Sequence, residues 1–333
     1  MKPRLIALLI LCISTVANSS FAEELVVYSG RSDKFVKPVV EAFTKETGIK
    51  VTLHAGSSTA LLNKLKLEGN KTRADLYISN DAGNLQTGSD WQLFQPLAAS
   101  LIEVIPPNYR AADNTWVGLS ARARVLVVNK NDHSADFVKS VFDLADPRLN
   151  GKLAITHSSN ESYIAGVTVY LRASNEAKIK QWLEGMKSNV AGSVFNKHGK
   201  IVKAVAEGKK SIGLVNHYYF YRHLAKHPDA PIAILLPDQG KDGMGVAWNV
   251  AGVAISKHSK HQDAAQKLLA YMISAAGQKQ FAEANREYPT RPGVAAAPEV
   301  PPLSSYKVAD VPMRDLGKYR KATLDIIESA GMP

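Results

Sequence analysis

The chain has 333 residues, enough for two domains and a large buried core, and a net charge of +11. Its Lys and Arg residues are scattered and no aromatic-basic motif accompanies them, which argues against nucleic acid and leaves an anionic ligand or surface as the match for the excess. The single cysteine, Cys12, lies near the start, so disulfides, thiolate catalysis and thiolate metal sites are excluded from all that follows it.

Lys2 and Arg4 precede the apolar run from Leu5 to Val16, and Ser20-Phe21-Ala22 places small residues where a leader peptidase cuts. Residues 1–22 therefore read as a secretory signal peptide cleaved after Ala22, leaving a mature net charge of +9 once Lys2 and Arg4 depart. Leu11 stands before Cys12 where a lipoprotein needs a small residue. The apolar run is too short to span a membrane and no later segment approaches that length, so a soluble mature protein is expected.

"EELVVYSG" (Glu23–Gly30) reads as a buried strand ending in a turn. Ser32 is placed to cap a helix whose apolar residues recur at Phe35, Val36, Val39, Val40 and Phe43, and Thr47-Gly48 ends it. "IKVTLHAG" is a second strand, Ser57 and Ser58 cap a helix closed by Gly69, and "ADLYIS" is a third strand. This βαβαβ order predicts a parallel sheet covered by helices. Pro96, Pro106 and Pro107 mark a long connection, after which "GLSARARVLVVNK" returns to strand with Arg122 and Arg124 on one side. "GKLAI" is a strand, "HSSNES" (His157–Ser162) a capped helix start, Ala177–Met186 a helix, "KIVKAVAEG" a short helix and "SIGLVN" a strand. A further strand, "GVAWNVAGVAIS", precedes a strong helix over Asp263–Ser274.

Ligands of open parallel sheets bind beyond the carboxyl ends of the strands, where Ser29–Ser32, Ser79–Gly83, His157–Ser162 and Asn216–Tyr221 all fall. In "NHYYFYRH" (Asn216–His223), neighbouring phenols point about 100° apart on a helix and to opposite faces on a strand, so two can meet at one point only where the backbone turns. Tyr218 and Tyr219 fall where "SIGLVN" stops and a helix begins, which permits convergence without compelling it. Aromatic packing at a helix start is the alternative reading of the same residues.

"VVYSGRSDKFVKPVVEAFTKETGIKV", "RADLYISNDAGNL", "WVGLSARARVLVVNK", "VFDLADPRLNGKLAI", "GLVNHYYFY" and "REYPTRPGV" together resemble the periplasmic ferric-iron-binding proteins, substrate receptors of iron(III) ABC importers and transferrin-like in mechanism. The opening strand and "ETGIKV" are shared by many substrate-binding proteins; the "NHYY" dyad with "ARARVLVVN" is the specific part. The resemblance implies an α/β, two-lobed clamshell of the type II periplasmic-binding-protein class, each lobe a mixed sheet flanked by helices and joined by a hinge. It places one lobe at residues 23–122 with about 249–300, and the other at about 123–248 with 301–333. It implies no enzyme, a periplasmic monomer, and an inner-membrane ABC permease as partner.

By that resemblance Tyr218 and Tyr219 are the iron-binding dyad, and Arg122 helps hold a synergistic anion, expected to be carbonate. The chemistry agrees: ferric ion prefers hard anionic oxygen, and only a deprotonated phenol ligates it. An arginine fork suits a planar oxyanion, and the helix start at Ser159, Asn160 and Ser162 adds N–H donors. Some members offer a histidine after the first strand and a glutamate after the third; here Ser32 and Asn80 stand there, within the shell around the anion with Arg31. Tyr163 lies one residue from where some members offer a third tyrosine, and His198 stands where relatives have a polar asparagine, able to contact anion or metal. Arg31 reads equally as a structural ion-pair partner, Arg122 reads as functional ahead of that structural role, Tyr163 as packing or lining the cleft, and His223, His227, His258 and His261 as solvated residues. Two further readings remain: a receptor for an oxyanion or small polyanionic solute on the same fold, which has no need of the paired phenols, and an exported metal-dependent hydrolase or deoxygenating enzyme, which the missing His and Glu ligands weaken.

Overall fold

A computed structural model describes residues 24–192 and 194–333; the signal-peptide reading falls outside them. Ten strands form one curled sheet: β1 (Glu24–Ser29), β2 (Lys50–Ala55), β3 (Leu76–Ser79), β4 (Val117–Asn129), β5 (Leu153–Thr156), β6 (Val194–Phe195), β7 (Ile212–Asn216), β8 (Ile232–Leu235), β9 (Trp248–Ile255) and β10 (Tyr288–Pro289). Their main order is β2-β1-β3-β9-β4-β7-β5-β6, with β8 and β10 also pairing β4.

The opening unit is parallel as its βαβαβ order requires, with β1 flanked by β2 and β3. Beyond β3 the sheet turns mixed, because β9 enters antiparallel to both β3 and β4. Strand β4 serves two halves of the sheet. Its residues Val117–Ala123 pair with β9, whereas Arg124–Val128 pair with β7 and Leu126–Asn129 with β8. The change of partner falls between Ala123 and Arg124, so Arg122 and Arg124 straddle it.

The helix Asp33–Thr47 buries Phe35, Val36, Val39, Val40 and Phe43 against β1 and β3, as the 3.6-residue spacing demands, and Gly48 closes it at φ 74°. Ser32 occupies the position before this helix, but its side chain makes no capping bond, so it is not the cap its residue type suggested. Ser57 and Asn160 do cap, accepting from the N–H groups of Ala60 and Ser162. The chain end crosses between the two halves: the turn Asp315–Lys318 packs on the helix Ala82–Asp90, and the helix Arg320–Ser329 packs on Glu161–Ala173.

Candidate metal site

Strand β7 ends at Asn216 and a helix begins at His217, so Tyr218 and Tyr219 occupy its first turn. Their rings lie 4.5 Å apart between centroids. Tyr218 is buried, with Phe35 edge-on at 5.9 Å, and its phenol oxygen accepts from Asn216 Nδ2 at 3.3 Å. Both phenols border a cleft of about 900 Å³ between the β1/β3 loops and the start of Glu161–Ala173. Burial, then the adjacent Tyr218 phenol, push the Tyr219 phenol well above its usual pKa, so it is protonated at neutral pH.

Three buried arginines lie behind this dyad. Arg31 Nη2 meets Glu287 Oε2 at 2.6 Å and Arg31 Nη1 donates to Ser120 Oγ at 2.8 Å. Its charge is therefore answered by Glu287, and Arg31 is an ion-pair partner. Burial works against the Glu287 carboxylate, yet Arg31 and Arg122 hold its pKa below the ordinary range. Arg122 and Arg124 differ: among the described residues, no carboxylate lies within hydrogen-bond distance of either. Both terminal nitrogens of Arg122 and two nitrogens of Arg124 have no partner, although both residues are almost wholly buried. Only Arg124 Nη1 is used, donating to Asn216 Oδ1 at 3.1 Å. Two buried guanidinium groups with no hydrogen-bonded carboxylate fit a bound oxyanion, because buried charge is otherwise strongly unfavourable and Glu287, bonded to Arg31, offsets Arg122 only from a distance.

The other expected residues divide. Asn80, Ser159, Asn160 and His198 border the cleft with the tyrosines, while Ser32 is exposed and stands outside the cleft lining. Ser162 also borders it, and the next residue, Tyr163, does not: one helical step turns that ring into the core, where burial raises its phenol and its O–H has no partner. His198 is buried against Tyr219, centroids 5.0 Å apart, and neither ring nitrogen has a partner. Burial, then Arg124 and Arg122, hold its pKa well below the usual histidine value, so the ring is neutral. His261, read as solvated, is half-buried and lies 3.2 Å from Asp75.

Residues 39–306 match the family described as bacterial extracellular solute-binding proteins. The chain belongs to that family. It is 30% identical to the Fe(3+)-binding periplasmic protein of Serratia marcescens, over 95% of this chain and 93% of that one. Two solved structures superpose over 93% of this solute-binding protein and the whole of the other chain. They are iron-bound HitA from Pseudomonas aeruginosa (26% identity, TM-score 0.87) and a Trichodesmium protein in complex with iron and citrate ligands (30% identity, TM-score 0.81). The fold is the two-lobed type II clamshell.

Sequence reading missed the contacts that span the cleft of this solute-binding protein. The Thr59 N–H donates to Glu161 at 3.0 Å, and Arg320 Nη1 meets Asp81 at 2.8 Å. The capping Asn before Glu161 was the only local signal for the first; nothing near Arg320 in the sequence announces Asp81.

Proposed function

We propose that this protein is a periplasmic receptor that binds iron(III) between its lobes through the Tyr218 and Tyr219 phenolates, with an oxyanion on Arg122, and delivers it to an inner-membrane ABC permease. The observation that carries the reading is the pairing itself: two phenols in one helical turn, bordering a cleft, beside two buried arginines that no carboxylate hydrogen-bonds. The named relatives support the metal, since those proteins are described as Fe(3+)-binding or were solved with iron.

The residues match the chemistry of the cargo. Iron(III) displaces a proton from each phenol, and the positive field of Arg122 and Arg124 favours the phenolate and the anion together. Asn216 links the two, touching Arg124 through Oδ1 and the Tyr218 oxygen through Nδ2. Carbonate is the expected anion, its flat face matched to a guanidinium fork. The lobes comprise residues 23–122 with about 249–300 and about 123–248 with 301–333, so the hinge lies where β4 changes partner. The protein acts as a monomer that binds and hands over its ligand without catalysis.

The test is a visible spectrum of the mature protein titrated with chelated iron(III), repeated for Tyr218→Phe and Tyr219→Phe. A tyrosinate-to-iron band saturating at one equivalent and lost in both variants is expected. Absence of a band in wild type, with an oxyanion bound instead, would hand the site to the oxyanion-receptor reading.

A further inference from the structure

The two buried histidines of the cleft region differ in one respect. His217 has both ring nitrogens engaged: Nδ1 accepts from the Ala123 N–H at 3.2 Å, and Nε2 donates to the Arg286 carbonyl at 2.9 Å. His198 is as deeply buried, borders the cleft, and has neither nitrogen engaged. A buried polar group is nearly always satisfied, so a buried imidazole with two idle nitrogens points to an absent partner.

The chemistry of the pocket identifies that partner. A neutral imidazole carries one lone pair and one N–H. The idle nitrogens of Arg122 and Arg124 are donors, which an oxyanion can use and a cation cannot. The lone pair is the one acceptor among these idle groups that a cation would seek, and it stands against the ring of Tyr219. Among the described residues the one carboxylate bordering the same cleft, Glu161, accepts from the Thr59 N–H, which leaves His198 as an uncommitted donor beside the dyad. Imidazole nitrogen is an accepted ligand of iron.

We propose that His198 supplies an imidazole nitrogen as a third protein ligand to the metal held by Tyr218 and Tyr219. The proposal rests on the iron-receptor reading and extends it. It makes His198, at the start of the helix His198–Ala206, a residue that tightens binding when the cleft is filled.

Pulsed EPR of the mature protein loaded with one equivalent of iron(III) from its citrate chelate tests it, alongside His198→Asn, His198→Gln and the visible spectrum of each. The expected result is a nitrogen modulation of coordinated imidazole in wild type, lost in both variants, while the tyrosinate band remains but shifts in wavelength. A tyrosinate band in wild type with no coordinated-nitrogen modulation overturns the role of His198 and leaves the tyrosine reading standing. Modulation that persists in both variants also overturns it, since the nitrogen then comes from elsewhere. No tyrosinate band in wild type removes the tyrosine reading, and this proposal with it. A wild type with a tyrosinate band and no such modulation overturns the proposal even if a variant folds poorly.

Discussion

Asn216 holds the phenol of Tyr218, two residues away, from behind: its Nδ2 donates to the phenol oxygen at 3.3 Å while its Oδ1 accepts from Arg124 Nη1 at 3.1 Å. The arginine thereby fixes which end of the amide faces the tyrosine. Such support of a metal ligand typically accounts for about 10–100-fold in metal affinity. Asn216→Leu, which has the size but neither group, is expected to weaken iron(III) binding within that range in a chelator competition. Unchanged affinity would remove Asn216 from the site.

Affinity should rise with pH. The Tyr219 phenol is pushed above its normal pKa by burial and by Tyr218, so it enters the complex protonated and releases its proton to the metal. If both tyrosines ligate, conditional affinity gains about tenfold per pH unit for each proton released, so about a hundredfold per unit for two protons and about 10⁴-fold across pH 6–8. Neutral His198 takes no part in that slope, because its pKa lies well below this window. Competition titrations at three pH values measure it, and a flat profile contradicts tyrosine ligation.

Arg31 and Arg122 should respond unequally to the same change. Arg31→Met strands Glu287 as a buried, unpaired carboxylate and should cost about 3–5 kcal/mol of stability. Arg122→Met removes a buried cation that hydrogen-bonds no carboxylate and supports Glu287 only from a distance, so the iron-free protein should lose clearly less stability than with Arg31→Met. Urea unfolding compares them. Iron binding by Arg122→Met should in turn lose its dependence on added bicarbonate.

The Glu161 carboxylate contacts the second residue of the helix Ser58–Glu68 across the cleft, where the helix N-terminus favours an anion. Burial, then Asp81, raise the pKa of Glu161, so the contact weakens as pH falls through that raised value. Glu161→Gln keeps the shape and loses the charge. With about 0.3–1 kcal/mol at stake, iron should leave about two- to fivefold faster in stopped-flow release into a chelator.

Local pattern carried much of this site. The strand-to-helix turn that presents Tyr218 and Tyr219 follows from the short buried strand Ile212–Asn216 stopping at Asn216, and the spacing of Arg122 and Arg124 places both on one side of β4. The periodic apolar residues of Asp33–Thr47 fixed its buried face. These features depend on neighbours within a turn or two, which is the range that sequence period and capping chemistry report.

What the sequence could not decide was which buried groups find partners. Arg31, Arg122 and Arg124 are alike in type, yet only Arg31 meets a carboxylate, and that carboxylate lies 256 residues away. His198 and His217 are equally buried, and their difference rests on whether a backbone N–H and a carbonyl from other segments arrive beside the ring. Tyr163 was placed near the metal by position, but one step of helix carried it into the core. The amino-acid sequence set the elements, their faces and the phenol pair. Only the tertiary structure, by bringing distant charges within hydrogen-bond reach or leaving them short of it, separated the groups already satisfied from those left for a ligand.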